Sequence, residues 1–169
     1  TGRAAKVLAN LSEANGQTST IHSMVYEFNG LNKEYEEKEE PKVDKDGQLF
    51  LVFEPSKLDE DALPETVYII DEASMVSDVA TKDVTQAKFG DGRLLKELLD
   101  YDTRPGSKFI FVGDPCQLPP IEQYYSPALM KDYFQQQFGM TAQEAQLTDI
   151  MRQQGICGIV DASKQIRGL

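Results

Sequence analysis

The sequence has one histidine, His22, and two cysteines, Cys116 and Cys157. A lone imidazole has no second histidine with which to hold a metal, and the two cysteines lack metal-ligand spacing. A histidine–cysteine metal centre is therefore not expected, and a reducing cytoplasm is the simpler setting for these thiols. No long apolar run occurs, so no transmembrane helix and no membrane partner are predicted. No basic, apolar, small-residue leader opens the chain, which speaks against secretion. Basic side chains are few: 17 Lys and Arg stand against 28 Asp and Glu, a formal charge of −11. That balance argues against a protein that coats nucleic acid generally. The acidity is uneven, however. Residues 31–110 carry eleven basic and twenty acidic side chains, whereas residues 1–30 carry two of each, so a neutral N-terminal segment can still meet a nucleic-acid backbone.

What is present suffices for one α/β domain: 169 residues, 40% of them hydrophobic, enough for a sizeable core. The chain is organised around Val67-Tyr68-Ile69-Ile70-Asp71-Glu72-Ala73-Ser74. Four apolar residues run into two adjacent carboxylates. Such a run predicts a strand buried on both faces of a parallel sheet. Ligands of open α/β sheets bind beyond the carboxyl ends of the strands. Carboxylates there suit Mg²⁺ and phosphates, since Mg²⁺ takes hard oxygen ligands and keeps several waters. A strand that merely ends in two solvated acids is the structural alternative. Phe109-Ile110-Phe111-Val112-Gly113-Asp114-Pro115-Cys116-Gln117-Leu118-Pro119-Pro120 repeats the design, with Gln117 held between prolines that stiffen its loop. If the two strands pair, Asp71, Glu72 and Gln117 surround one pocket.

The remaining segments are read in order. Thr1-Gly2-Arg3 precedes apolar residues at helical spacing, Ala4, Val7, Leu8 and Leu11. This is either an ordinary capped helix or a phosphate contact made by free backbone N–H groups. Thr18 to His22 is a second N-cap cluster, and Ile21, Met24, Val25 and Phe28 predict one face of a helix that stops at Asn29-Gly30. His22 is more often structural than catalytic in such a setting. Residues 31–64 form a charged insertion with a strand at Leu49–Phe53. Ser77-Asp78 caps a short turn, and Thr81 to Gly92 is a polar loop. Arg93 to Tyr101 is an amphipathic helix with Leu94, Leu95, Leu98 and Leu99 on one face. Ser126-Pro127 starts another helix that ends at Gly139. A further helix begins between Ile156 and Ile166. Arg152 is either a surface residue or a cation kept for a phosphate.

In order, these pieces resemble the first motor domain of a superfamily 1 DNA helicase of the RecD/Dda-like branch. Thr1-Gly2-Arg3-Ala4-Ala5 resembles motif Ia, and Thr20-Ile21-His22 the block downstream of it. Asp71-Glu72-Ala73-Ser74 resembles motif II, the Walker B element. Gly113-Asp114-Pro115-Cys116-Gln117-Leu118-Pro119-Pro120 resembles motif III, the most specific of the five, and Leu147 through Gln153 resembles motif IV. The resemblance implies a three-layer P-loop NTPase (RecA-like) parallel sheet flanked by helices, incomplete at its N-terminus, with residues 1–169 spanning motif Ia to motif IV. It implies ATP and Mg²⁺ as cofactors and single-stranded DNA as partner, with the remaining helicase domains in the parent chain. Asp71 would hold Mg²⁺, and Glu72 would activate the attacking water. Gln117 would sense the γ-phosphate, and Arg152 would act as an arginine finger. Thr1, Gly2, Arg3, Thr20 and His22 would line the strand path, where hydroxyls and backbone N–H groups bind phosphates without a basic surface.

The chain departs from the family in having no Gly-x-x-x-x-Gly-Lys-[Ser/Thr] loop. A piece cut from a longer protein is the simplest explanation, and such a piece is expected neither to hydrolyse ATP nor to unwind DNA alone, because those amides supply most phosphate contacts. Two other functions fit parts of the pattern. Asp71, Glu72 and Asp114 could form the carboxylate Mg²⁺ site of a nuclease or phosphatase. A DNA- or protein-binding module without catalysis would need no phosphate loop at all.

Overall fold

A computed structural model of the chain describes residues 18–31, 50–58, 65–80 and 87–148, together with residues 158, 162, 165 and 166. The helix expected over Ala4–Leu11, most of the charged insertion and the block around Arg152 lie outside these residues. Gly158, Ala162, Gln165 and Ile166 are helical, in line with the helix predicted there.

Thr20 caps the first described helix, α1 (Ile21–Val25), with its hydroxyl oxygen accepting from the Ser23 N–H at 3.2 Å. The helix does not reach Phe28 as its spacing predicts. Tyr26–Leu31 is strand β1 instead, antiparallel to β2 (Leu51–Pro55). The ladder pairs Tyr26–Phe28 with Phe53–Pro55, shifts register before Leu31, and sets Phe28 opposite Phe53, ring centroids 5.6 Å apart, a cross-strand pairing that local helical periodicity cannot anticipate. A short strand also interrupts the expected loop: β4 (Ala87–Phe89) lies parallel to β2. Three residues give no readable period. The Phe89 ring stacks on Phe53 at 4.7 Å and holds the strand there.

The second sheet carries the central stretch. β3 (Val67–Ile70) and β5 (Lys108–Phe111) are parallel and in register, Tyr68 opposite Phe109 and Ile70 opposite Phe111. Between them in sequence lies α2 (Leu94–Tyr101), as its periodicity predicts, with Leu95, Leu98 and Leu99 buried. Each such side chain contributes roughly 1.5–3 kcal/mol on removal from water. They meet Val25, Ile70, Ala73, Val76, Ala128 and Phe134 in one core. The helix expected after Ser126 is split. Pro127–Leu129 is a 3₁₀ turn, Met130 is extended, and α3 (Lys131–Phe138) follows and stops at Gly139.

Burial on both faces of β3 is not what the described residues show. Tyr68, Ile70, Phe109 and Phe111 pack inward, whereas Val67 and Ile69 are 56% and 66% exposed and Ile110 is 47% exposed. Among the described residues the core covers one face of this sheet. Among the described residues the run packs on one side, through Tyr68 and Ile70.

A buried carboxylate fixes how β5 enters beside β3. Asp102, at the end of α2, accepts from the Arg104 Nη2 at 2.6 Å, the Ser107 hydroxyl at 2.7 Å and the Tyr68 hydroxyl at 2.9 Å. The turn before β5 is thereby fastened to a side chain of β3. The Arg104 guanidinium, helped by Ser107 and Tyr68, holds the Asp102 carboxyl well below the usual range, against the opposing effect of burial. Burial and the bond to Asp102 push the Tyr68 phenol up to about 12. Asp102→Ala is expected to destabilise the full-length protein by about 3 kcal/mol, because it removes the buried acceptor shared by Arg104, Ser107 and Tyr68. Because the folded carboxyl titrates below the unfolded one, the gap between wild type and variant should be full above about pH 4 and shrink as pH falls further. Urea unfolding across that range measures it, and a pH-independent gap would contradict the assignment.

Candidate active site

The two strand tips are joined beyond the strands themselves. The Val112 N–H donates to the Ile70 carbonyl at 2.8 Å, and the Ala73 N–H donates back to the Val112 carbonyl at 2.9 Å. Gly113 follows, and here only hydrogen fits. A Cβ on it would lie 2.9 Å from the Ser74 nitrogen, 3.2 Å from the Ala73 nitrogen and 3.1 Å from a Leu129 methyl carbon. The glycine of the Gly-Asp turn is therefore the contact that lets the Gln117 segment sit against the Asp71–Ser74 segment.

Each tip is shaped locally. Asp71 Oδ1 accepts the Glu72 N–H at 2.9 Å, closing a tight turn. Glu72 itself takes φ 54°, ψ 39°, a left-handed conformation that a β-carbon disfavours. Strain of this kind persists where the surroundings over-determine it, commonly at functional sites. The 3₁₀ turn Ala73–Met75 follows, with Ala73 and Ser74 buried. Ser74 Oγ has no hydrogen-bond partner among the described residues. On the other tip, Asp114 Oδ1 accepts the Cys116 N–H at 2.9 Å and its carbonyl accepts the Gln117 N–H at 3.0 Å. This is the side-chain-supported turn that Asp favours, and it presents Gln117 to solvent.

Asp71, Glu72 and Gln117 thus stand at the ends of two hydrogen-bonded neighbours, all three exposed. The edge is open. Two hollows among the described residues lie elsewhere, one against His22, Tyr26 and Phe89, the other against Lys57, Asp91 and Lys96. Thr1, Gly2, Arg3 and Arg152 lie outside the described residues. Thr20 and His22 are on α1, beside the other sheet. The Thr20 hydroxyl serves as the cap of that helix. The His22 ring meets the edge of Phe89 at 5.0 Å and lies 5.6 Å from Tyr26. Partial desolvation lowers its pKa, an effect that the Glu97 charge offsets only in part.

A junction that the sequence does not advertise lies behind the acid pair. Ser77 supports the expected short turn, its Oγ accepting the Val79 N–H at 3.3 Å, whereas Asp78 is buried and serves other segments. Its Oδ2 accepts from Arg93 Nη2 at 2.7 Å and from the Tyr133 hydroxyl at 2.8 Å, and its Oδ1 accepts the Lys96 N–H of α2 at 3.2 Å. The adjacent Ser77 carbonyl takes the Leu95 N–H at 2.9 Å. Residues 77 and 78 together satisfy amides in the first turn of α2, whose own preceding residue, Arg93, makes no side-chain cap. Burial and the Asp78 bond push the Tyr133 phenol up to about 12, and the Asp78 bond raises the Arg93 pKa. The only sequence-level signal is an Asp ahead of an amphipathic helix whose first turn lacks a cap.

The donor set fits Mg²⁺ better than a metal that needs a protein cage. Among the described residues no three His, Cys, Asp or Glu side chains gather to hold an ion. An ion at the Asp71 edge would be completed by water and phosphate oxygens, the habit of Mg²⁺. The same finding weighs against a three-carboxylate centre of Asp71, Glu72 and Asp114.

Compared with models of known families, residues 1–168 match the AAA domain. The chain belongs to that family. Comparison with curated proteins and with solved structures finds no match. The AAA family is one of P-loop NTPases, and its membership carries nucleotide binding, typically of ATP with Mg²⁺, and NTP hydrolysis in general. The parallel pairing of β2 with β4 and of β3 with β5, in two sheets of an α/β chain, fits such a fold. Among the described residues of this AAA domain, no helix is long and apolar enough to cross a membrane.

Two positions probe the edge. Gly113→Ala should force the tips apart and destabilise the AAA domain by about 1–3 kcal/mol, the usual cost of overpacking. Glu72→Gly should be more stable than Glu72→Ala by about 1 kcal/mol, since only glycine takes the left-handed turn without strain. Thermal unfolding of the three variants tests both. A Gly113→Ala variant as stable as wild type, or equal stability of the two variants at position 72, would contradict the geometry.

Proposed function

We propose that this AAA domain is the first motor domain of an ATP-dependent DNA helicase of superfamily 1, in the RecD/Dda-like branch. In the full-length protein it couples ATP hydrolysis to movement on single-stranded DNA and to duplex unwinding, in cytoplasmic DNA repair or recombination. The observation that carries this is the in-register parallel pairing of β3 with β5, which sets the acid pair and the Gln117 turn on one sheet edge. Five sequence blocks in the family's order support it, and so does membership of a P-loop NTPase family.

At that edge the residues divide the work. Asp71 would hold Mg²⁺, which when bound would supply positive charge against the phosphate oxygens. Glu72 orients the attacking water and takes its proton, and the left-handed turn fixes where its carboxylate starts from. Gln117 hydrogen-bonds the γ-phosphate from a turn stiffened by Pro115 and Pro119. Arg152 stabilises charge as the phosphoryl group transfers. Thr1, Gly2, Arg3, Thr20 and His22 contact the DNA strand.

In the full-length protein, ATP hydrolysis stimulated by single-stranded DNA is expected, falling at least about a hundredfold in Glu72→Gln, the scale of a lost general base. Gln117→Ala is expected to uncouple hydrolysis from unwinding more than it weakens nucleotide binding. Parallel ATPase, unwinding and nucleotide-affinity measurements decide it. Hydrolysis that survives in Glu72→Gln, or equal losses of binding and coupling in Gln117→Ala, would count against these roles.

A further inference from the structure

The segment that carries Gln117 is fastened to the segment that carries Glu72 at two places. One is the contact of Gly113 with Ala73 and Ser74. The other lies at the far end of the same loop, where the Gln123 side-chain oxygen accepts the Asp78 N–H at 3.3 Å. Only an acceptor satisfies that amide, which fixes the orientation of the Gln123 side chain. The neighbours of Gln123 make this arrangement informative. Ile121 is 90% exposed and Tyr124 fully exposed, so a glutamine between them would by default point into water. It is instead half-buried, turned inward by a Gln123 N–H bond to the Pro120 carbonyl at 3.1 Å and by left-handed backbone at Glu122, φ 64°. Pro120 is buried beneath the turn. A strained non-glycine residue beside an inward-facing amide marks a conformation that the surroundings impose.

The receiving end of the bond is rigid. Asp78 is buried and held by Arg93, Tyr133 and the first turn of α2. Its amide is six residues beyond Glu72 along a segment that enters the core at Ala73, Ser74 and Val76. A loop tied to that amide shares one frame with the acid pair.

We infer that Gln123 is a positioning residue: its bond to the Asp78 amide holds the Gln117 loop in a fixed relation to Glu72, so that both meet one γ-phosphate. The inference rests on the motor-domain function proposed above. Gln123 touches no reacting atom and acts through Gln117.

The test uses the full-length protein with Gln123→Met, which keeps the length of the side chain but has no oxygen acceptor, and Gln123→Glu, which keeps the acceptor. Steady-state ATPase with single-stranded DNA is read alongside amide hydrogen exchange. In Gln123→Met, kcat should fall about three- to tenfold, the worth of one neutral hydrogen bond. KM for ATP should stay within about twofold, because the loss falls on the transition state. Exchange at the Asp78 amide should accelerate in the same variant. Gln123→Glu should restore both. Wild-type kcat in Gln123→Met overturns the inference, as does unchanged exchange or an equal loss in both variants. A wild-type protein without ATPase activity overturns the motor-domain function instead, and this inference with it. The wild-type control therefore separates the two failures.

Discussion

The candidate site depends on a run of backbone hydrogen bonds that does not stop where the strands stop. β3 and β5 pair in parallel, and the pairing continues through Val112 to Ala73. Parallel ladders are slightly weaker per residue than antiparallel ones, so a pair of four-residue strands needs reinforcement at its ends. It has reinforcement at both. At the entry, Asp102 ties Tyr68 to the turn that launches β5. At the exit, Gly113 leaves the Ala73–Ser74 backbone room that a β-carbon would occupy. Between these clamps the register has no room to slip, and a slip of one residue would turn Tyr68, Ile70, Phe109 and Phe111 away from the core.

Behind this edge, polar groups are buried only where they have something to hold. Asp78 satisfies amides of α2 and takes donors from Arg93 and Tyr133. Glu97 accepts the Tyr26 hydroxyl and the Asp91 N–H, joining α2 to the hairpin sheet. Asp102 does the same for β3 and β5. All three carboxylates lie within or beside α2. The helix is therefore more than an apolar crossover: its leucines fill the core while carboxylates around it orient three other parts of the chain. Replacing one of these acids removes a partner from several donors at once, which costs more than losing a solvated ion pair.

Much of this is legible in the sequence, and what is not has physical causes. Apolar runs ending in Asp71-Glu72 and Gly113-Asp114 identify the two strand tips, because a short apolar run followed by polar turn residues has few other solutions. The leucine spacing of α2 and the stop at Gly139 are likewise local signals. Local spacing misassigns Tyr26–Phe28 to a helix because the strand that pairs with it, Leu51–Pro55, is twenty residues further along the chain. Ala87–Phe89 reads as loop because three residues held by an aromatic stack have no period. The roles of Asp78 and Gln123 are invisible in the sequence, since each depends on residues from distant segments converging on one amide or one carboxylate. Nor can a sequence report that Glu72 sits in left-handed backbone, because no residue type there demands it.

The parallel register also has a kinetic side. The paired residues of β3 and β5 are about forty positions apart along the chain, so a nascent β3 leaves the ribosome before β5 has been made. Until β5 has been synthesised and its loop closed, a long-range entropy cost of the kind that slows non-local folds, Val67, Tyr68, Ile69 and Ile70 form a sticky ribbon. For that interval, the features that later specify the site make the growing polypeptide a natural client for chaperones.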